Sequence, residues 1–339
     1  MEPFFNLTLN ELEHILGVCG KEKFRARQLF KWIYNKFVLD FELMTDIPKS
    51  LRKIFKEMFS FTFLNLESME RSKDGSTKFA FRTHDGYTVE SVLMPEEDRT
   101  TLCVSTQIGC KMGCRFCVTG KIGFIRNLTT DEIVSQMMSV KKLTDTTITN
   151  VVFMGMGEPM DNVENVIKAI QIFGSPYGLN LSKRKITVST SGLIDTLKTI
   201  PQNLCVIAIS LNAADDEKRT YLMPINRIYP LETIVDFARS YRPDKRSRIT
   251  FEYVIIGDIN DSGKDAEKLA DLLSGVKCKI NIIPYNESKH ISFKTPSDEK
   301  ILNFQRILLK RGYTATIRKS KGQDVSAACG LLGSRYLEV

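Results

Sequence analysis

Beyond residue 100 the chain alternates between short β-branched runs and longer stretches of helical periodicity, and this alternation restricts the fold more than any other feature. The runs fall at 151–154, 186–189, 206–209, 250–255, 280–283 and 315–317, with helical patterns near 131–143, 163–173, 192–199, 215–222, 231–241, 263–274 and 297–311. Repeated strand–helix units of this kind predict an α/β fold with a parallel sheet and helices outside it. In such architectures chemistry gathers on the loops at the carboxyl ends of the strands, so the residues just after each run are the candidates for function.

The region before residue 100 follows different rules. Thr8-Leu-Asn-Glu11 has the spacing of a capping box, Leu12, Ile15 and Leu16 form an apolar stripe, and Gly20 is a stop signal. A second helix is expected from about Glu22, with Phe24, Leu29, Phe30, Ile33, Tyr34 and Phe37 on an apolar face and Lys23, Arg25, Arg27, Lys31 and Lys36 on a basic one. A third is expected after Ile47-Pro48, burying Leu51, Ile54, Phe55 and Phe59. Strand-like alternation in Lys78-Phe-Ala-Phe-Arg82 and Tyr87-Thr-Val-Glu-Ser-Val-Leu93, around the turn signal Asp85-Gly86, predicts a β-hairpin.

The 339 residues leave room for about two domains. The longest uncharged run, residues 199–214, spans 16 residues and includes Gln202, Asn203 and Asn212, so no membrane span is expected. The amino terminus lacks the basic and apolar regions of a secretory signal, which implies a cytoplasmic, reducing setting. The net charge of +8 comes from 48 basic and 40 acidic residues. Ten Lys or Arg against five Asp or Glu occupy residues 21–57, and residues 300–323 hold seven basic residues and no acidic one. That clustering favours a polyanionic partner over a uniformly solvated surface.

Four of the eight cysteines fall between 103 and 117, and Cys110-Lys-Met-Gly-Cys114-Arg-Phe-Cys117 follows the strand-like Leu102-Cys-Val-Ser. Three thiolates in one loop suit a metal centre. A structural zinc site wants a fourth nearby ligand, and His14, His84 and His290 are all distant in sequence. Three protein ligands to a four-iron cluster leave one iron open for substrate.

This spacing resembles the radical S-adenosylmethionine superfamily, in which the open iron chelates the methionine moiety of the cofactor. The resemblance extends to Gly155-Met-Gly-Glu-Pro159, similar to the superfamily's Gly-Glu element, where Gly157 and Glu158 would meet the cofactor's ammonium. Ser189, the stretch Ser210-Leu211-Asn212, and Asn286 end predicted strands and complete the implied cofactor site. Thr101-Leu-Cys103-Val-Ser-Thr-Gln-Ile-Gly-Cys110, Leu222-Met-Pro-Ile-Asn226 and Asp324-Val-Ser-Ala-Ala-Cys329-Gly narrow the likeness to the RlmN/Cfr group of RNA adenine methyltransferases. Within it, Glu158-Pro159 and Ile283-Pro-Tyr-Asn286 are similar to the RlmN branch, whose product is methylated at carbon 2 of adenine. The Cfr-type alternative is methylation at carbon 8, and a non-catalytic iron–sulfur or zinc RNA-binding module is the alternative from another class.

The resemblance implies a partial (βα)6 barrel over 101–320, an RNA-binding helical domain over 1–60, a linker with the hairpin over 61–100, and a tail over 321–339. It implies a 4Fe–4S cluster on Cys110, Cys114 and Cys117, two S-adenosylmethionine molecules per turnover, and an electron donor such as flavodoxin. Cys329 would accept a methyl group, the product of a second cofactor cleavage would activate that methyl for addition to the ring, Glu90 would accept the ring proton, and Cys103 would release the product through a transient disulfide with Cys329. The implied substrates are an adenosine of 23S rRNA near the peptidyl transferase centre and adenosine 37 of a subset of tRNAs, acted on by a monomer. Asn212, Ser326 and Leu331 depart from the residues common in relatives, and Cys19, Cys205 and Cys278 match no function.

Overall fold

A computed structural model describes residues 1–241 and 248–338. Ten strands form one sheet and lie across it in chain order: β1 (Asn65–Arg71), β2 (Thr77–Arg82), β3 (Thr88–Pro95), β4 (Thr100–Val104), β5 (Asn150–Phe153), β6 (Ile186–Thr190), β7 (Val206–Ser210), β8 (Ile249–Ile255), β9 (Cys278–Pro284) and β10 (Thr314–Ile317). From β4 to β10 every neighbouring pair is parallel. Helices fill the crossovers, among them Thr130–Thr144, Val163–Gly174, Leu231–Ser240 and Asp298–Lys310. These are the expected strand–helix units, and β10 adds a seventh parallel strand after the sixth unit. Thr101, Asn150, Thr187, Thr250, Asn281 and Thr316, from six of these strands, line one shared hollow, so the sheet curves into a partial barrel.

The hairpin expected around Asp85-Gly86 is formed by β2 and β3, with Gly86 at φ +87°. β1 extends it to a meander, and β3 pairs antiparallel with β4, placing Val92 opposite Cys103. The polar alternation of β3 therefore meets a buried neighbour on both sides, and Glu90 lies inside the protein instead of facing solvent.

The amino-terminal helices follow local chemistry. Thr8 Oγ1 accepts from the Glu11 amide at 3.2 Å while Glu11 accepts from the Thr8 amide at 2.9 Å, which closes the capping box that starts Leu9–Val18. Phe4, Phe5, Phe30, Tyr34 and Phe59 form a buried aromatic cluster, with Phe4 and Phe59 edge to face at 5.5 Å. Two expectations are corrected. Phe24 is 48% exposed, covered on one side by the Arg25 guanidinium at 4.4 Å, because the helix Phe24–Phe30 turns its next residues inward first. Leu51 and Ile54 are half-buried, whereas Phe55 and Phe59 are buried as expected. The helical unit rests on Thr130–Thr144, where Ser135 and Ser139 bond the backbone of Thr62 and Leu64. Among the described residues no helix is long and apolar enough to cross a membrane.

Candidate active site

The loops at the carboxyl ends of the parallel strands enclose a cavity of about 160 Å³. Cys110, Cys114 and Cys117 line it, together with Gly157, Glu158, Ser189, Ser210, Asn212, Asn286 and Cys329. The cysteine loop is shaped by backbone contacts: the Cys110 amide donates to the Gly123 carbonyl at 2.9 Å, and Gly109, at φ +73°, passes so close to that carbonyl that a Cβ would lie 1.8 Å from it. The three cysteines share one wall of this cavity. Burial pushes the Cys110 thiol up to about 12 and raises Cys114 and Cys117 as well, so thiolates here require a cationic partner.

Glu158 is anchored from behind. Its two carboxylate oxygens accept from the Met160 and Ser191 amides at 3.0 and 2.7 Å, and its own amide donates to Gln107 at 2.8 Å. Burial raises its pKa and the backbone donors oppose that rise. Each oxygen keeps acceptor capacity for a cationic ligand. Gly157, at φ +99°, lies against Gln107, and a Cβ there would come within 2.5 Å of that side chain. Ser189 donates to Glu252 at 2.6 Å, and Asn212 uses its side-chain oxygen to accept from the Val254 amide at 2.8 Å.

Asn286 lines the cavity and also bonds the tail. Its amide nitrogen donates to the Cys329 carbonyl at 3.1 Å and its oxygen accepts from Gln323 at 2.8 Å, so here it holds the tail. Leu211 does not line the cavity: its side chain is buried in the core and its carbonyl accepts from Arg219. Glu90 does not line it either. The Gly333 amide donates to Glu90 Oε2 at 2.8 Å, while buried Oε1 has no partner, and burial raises its pKa.

The tail carries Cys329 into the wall between two cavities. One is the cavity of the three cysteines, and the other is lined by Cys103, Val92 and Met94. Bonds from the Val118 amide to Gly330 at 2.8 Å and from Thr119 to Leu332 at 2.7 Å seat the segment on the cysteine loop. Asp74 and Ser72 hold its start through Gly322 and Asp324, and Tyr336 ties its end to Thr88 at 2.7 Å. Leu331 is buried in a small cluster with Val118 and Tyr285, and Ser326 takes a left-handed φ of 51°. Cys205 and Cys278 are buried and Cys19 is exposed, none of them in this cavity.

Three site residues escaped the sequence. Glu252 is a buried carboxylate on β8 whose Oε1 has no hydrogen-bond partner. Arg318 follows β10, lines both cavities, and is kept protonated first by Cys329 and then, against its burial, by Glu252. Arg219 is fully buried beneath the cavity and donates to the carbonyls of Ser191, Ser210 and Leu211, which staples two strand-end loops together. Only Glu252 offered a signal, as a carboxylate inside an otherwise apolar and β-branched run; Arg318 follows its run and Arg219 sits in the charged helix Asp216–Leu222.

Comparison with known proteins agrees with this architecture. Residues 104–273 match the radical SAM superfamily, and residues 3–60 match the ribosomal RNA large subunit methyltransferase N-terminal domain. The dual-specificity RNA methyltransferase RlmN of Syntrophotalea carbinolica is 48% identical over 96% of this chain and 88% of its own length. That of Geobacter sulfurreducens is 48% identical over 96% of this chain and 90% of its own. The crystal structure of a radical SAM methyltransferase from Sphaerobacter thermophilus matches with a TM-score of 0.89 at 43% identity, covering 98% of this chain and 99% of that one. Membership of the superfamily implies a 4Fe–4S cluster and S-adenosylmethionine, for which the cavity offers three thiols, an anchored carboxylate and strand-end polar groups. The chain belongs to the RlmN family of dual-specificity RNA methyltransferases within the radical SAM superfamily.

Proposed function

We propose that this protein methylates carbon 2 of an adenosine in 23S rRNA near the peptidyl transferase centre and of adenosine 37 in a subset of tRNAs, using two S-adenosylmethionine molecules per turnover. The observation that carries this reading is the position of Cys329 between the cavity of Cys110, Cys114 and Cys117 and the compartment of Cys103. Cys110, Cys114 and Cys117 would hold the cluster, with Glu158, Ser189, Ser210 and Asn212 around the cofactor. When bound, the cluster and cofactor supply a transferable methyl group and a radical able to abstract hydrogen.

The chain's residues then divide the work. Cys329 would take the methyl group on sulfur. One methyl hydrogen would leave with the cofactor-derived radical, the methylene would bond the ring carbon, and the adduct would give up one electron to the oxidised cluster and the ring proton to a base, leaving a sulfur–methylene–carbon link between protein and RNA. Glu90 accepts the proton from the methylated ring carbon. Its carboxylate is held by Gly333, four residues beyond Cys329, so displacement of the tail toward RNA releases it. The Cys103 thiolate attacks the Cys329 sulfur, forming the disulfide and breaking the sulfur–methylene bond, whose electrons pass to the methylene; a proton then completes the methyl group. Burial pushes the Cys103 thiol up to about 12, and Arg318 beside both thiols opposes that rise. A one-electron donor of the flavodoxin class, a monomeric chain and a cytoplasmic setting complete the proposal.

The basic face of residues 21–57 and the 300–323 segment would bind phosphates, which fix register without reading sequence. The target base must leave its stack before ring chemistry is possible. Incubation of anaerobically reconstituted enzyme with ribosomal RNA and isotope-labelled cofactor, followed by nucleoside mass spectrometry, tests the reading. Label at carbon 2 supports it, and label only at carbon 8, or none, contradicts it.

A further inference from the structure

Glu252 is the one carboxylate of the catalytic cavity that the fold leaves half used. It lies on β8, is 5% exposed, and reaches the cavity between its strand neighbours Ser210 and Asn281, which pair with it in register on either side. Its Oε2 accepts from the Ser189 hydroxyl at 2.6 Å, whereas its buried Oε1 accepts no hydrogen bond. Glu158, the other carboxylate lining the cavity, has both oxygens on backbone amides. A buried acceptor without a donor costs free energy, and the cost is removed when a ligand brings an N–H or O–H to it.

The two oxygens of Glu252 face different groups. Oε2 faces Ser189, beside the residues proposed to surround the cofactor. Oε1 faces Arg318, whose Nη1 lies 3.9 Å away, beyond hydrogen-bond distance, and donates instead to the Met154 sulfur at 3.4 Å. Arg318 and Cys329 line the catalytic cavity and also the compartment of Cys103. The free oxygen therefore points toward the thiol side of the cavity, where the ring that reacts must lie.

We propose that Glu252 Oε1 accepts a hydrogen bond from the exocyclic amino group of the adenine that reacts. The identity of the base rests on the proposed function. Arg318 offers N–H donors beside this acceptor, and adenine presents the complement along its Watson–Crick edge, an amino donor next to the N1 acceptor. Guanine reverses that order and would set its carbonyl oxygen against the carboxylate. Carbon 2 adjoins N1, whereas carbon 8 lies beyond N7 on the opposite side of the base. Holding the amino group at Glu252 and N1 at Arg318 therefore turns carbon 2 toward the wall that Cys329 lines.

The test uses reconstituted wild-type enzyme, Glu252→Ala and Glu252→Gln, each with synthetic RNA carrying adenosine or purine riboside, which lacks the amino group, at the reacting position. The readout is the ratio of kcat/KM for the two RNAs, with the labelled carbon located by mass spectrometry. A variant that folds poorly or binds cofactor weakly loses rate on both RNAs and leaves the ratio unchanged. Wild type should prefer adenosine by about 10- to 100-fold, the worth of a hydrogen bond to a charged group. Glu252→Ala should reduce the preference to about 3-fold or less, and Glu252→Gln, which keeps one acceptor oxygen, should restore part of it. A preference equal to wild type in Glu252→Ala, or none in wild type, overturns the proposal. Weaker binding of S-adenosylmethionine in Glu252→Ala with the preference intact also overturns it and places Glu252 on the cofactor. A preference that Glu252→Ala abolishes, with the label on carbon 8, supports the contact and contradicts the proposed function.

Discussion

The side-chain amide of Asn286 donates to the backbone carbonyl of Cys329 at 3.1 Å. A strand-end residue that lines the cavity thus also holds the tail segment carrying Cys329. Asn286→Ala removes one such bond, worth about 1 kcal/mol. The expected outcome is methylation of Cys329 slowed about 5- to 10-fold, read by intact-protein mass, with cofactor affinity changed less than the rate. Equal losses in both would place Asn286 on the cofactor.

Glu90 and Gly333 give a second prediction. In Glu90→Gln the side-chain oxygen still accepts from the Gly333 amide, so the tail stays seated and the thermal midpoint holds. Proton acceptance is lost. Product release should fall by about 100-fold or more while Cys329 methylation proceeds normally, and a covalent RNA adduct should accumulate on gels.

Arg219 tests the scaffold beneath the site. It is fully buried and donates to four backbone carbonyls, those of Ser191, Ser210, Leu211 and Tyr229, and to the Asn226 side chain. Arg219→Met leaves those acceptors unpaired, and the expected loss of stability is about 3–5 kcal/mol by denaturant unfolding. A loss below 1 kcal/mol would show that the loops hold without the staple.

Much of the fold was legible because it rests on local pattern. The strands 186–189 and 206–209 of the sequence reading became Ile186–Thr190 and Val206–Ser210, and the Thr8 capping box formed as written. What stayed hidden depends on distant partners. Nothing near Glu90 in sequence shows that residue 333 reaches back to it. Glu252 reads as a strand carboxylate until Ser189 meets it, and Leu211 reads as a strand-end site residue until the core claims its side chain. The cysteine loop was visible as chemistry, but the placing of Cys329 between two cavities was not, because it depends on the tail's bonds to Asp74, Thr119 and Thr88.

Asp131 supplies a pH prediction. Burial, aided by Glu132 and Glu2, raises its pKa from 3.8 to about 7, and its Oδ1 has no hydrogen-bond partner. Between about pH 4 and 7 the folded protein keeps a proton that the unfolded chain has released, so this residue's contribution to stability declines as pH rises through that window. Asp131→Asn should raise stability at pH 8 by about 2 kcal/mol and flatten the dependence between pH 5 and 8. Parallel pH profiles for variant and wild type would contradict this.

The central claim is that Cys329 forms a link to RNA that Cys103 resolves, and Cys103→Ala tests it most directly. With reconstituted variant, ribosomal RNA and labelled cofactor, peptide mapping should find RNA joined through a labelled methylene to Cys329, with little free methylated product. Free product at the wild-type rate, with no conjugate on Cys329, would contradict the account.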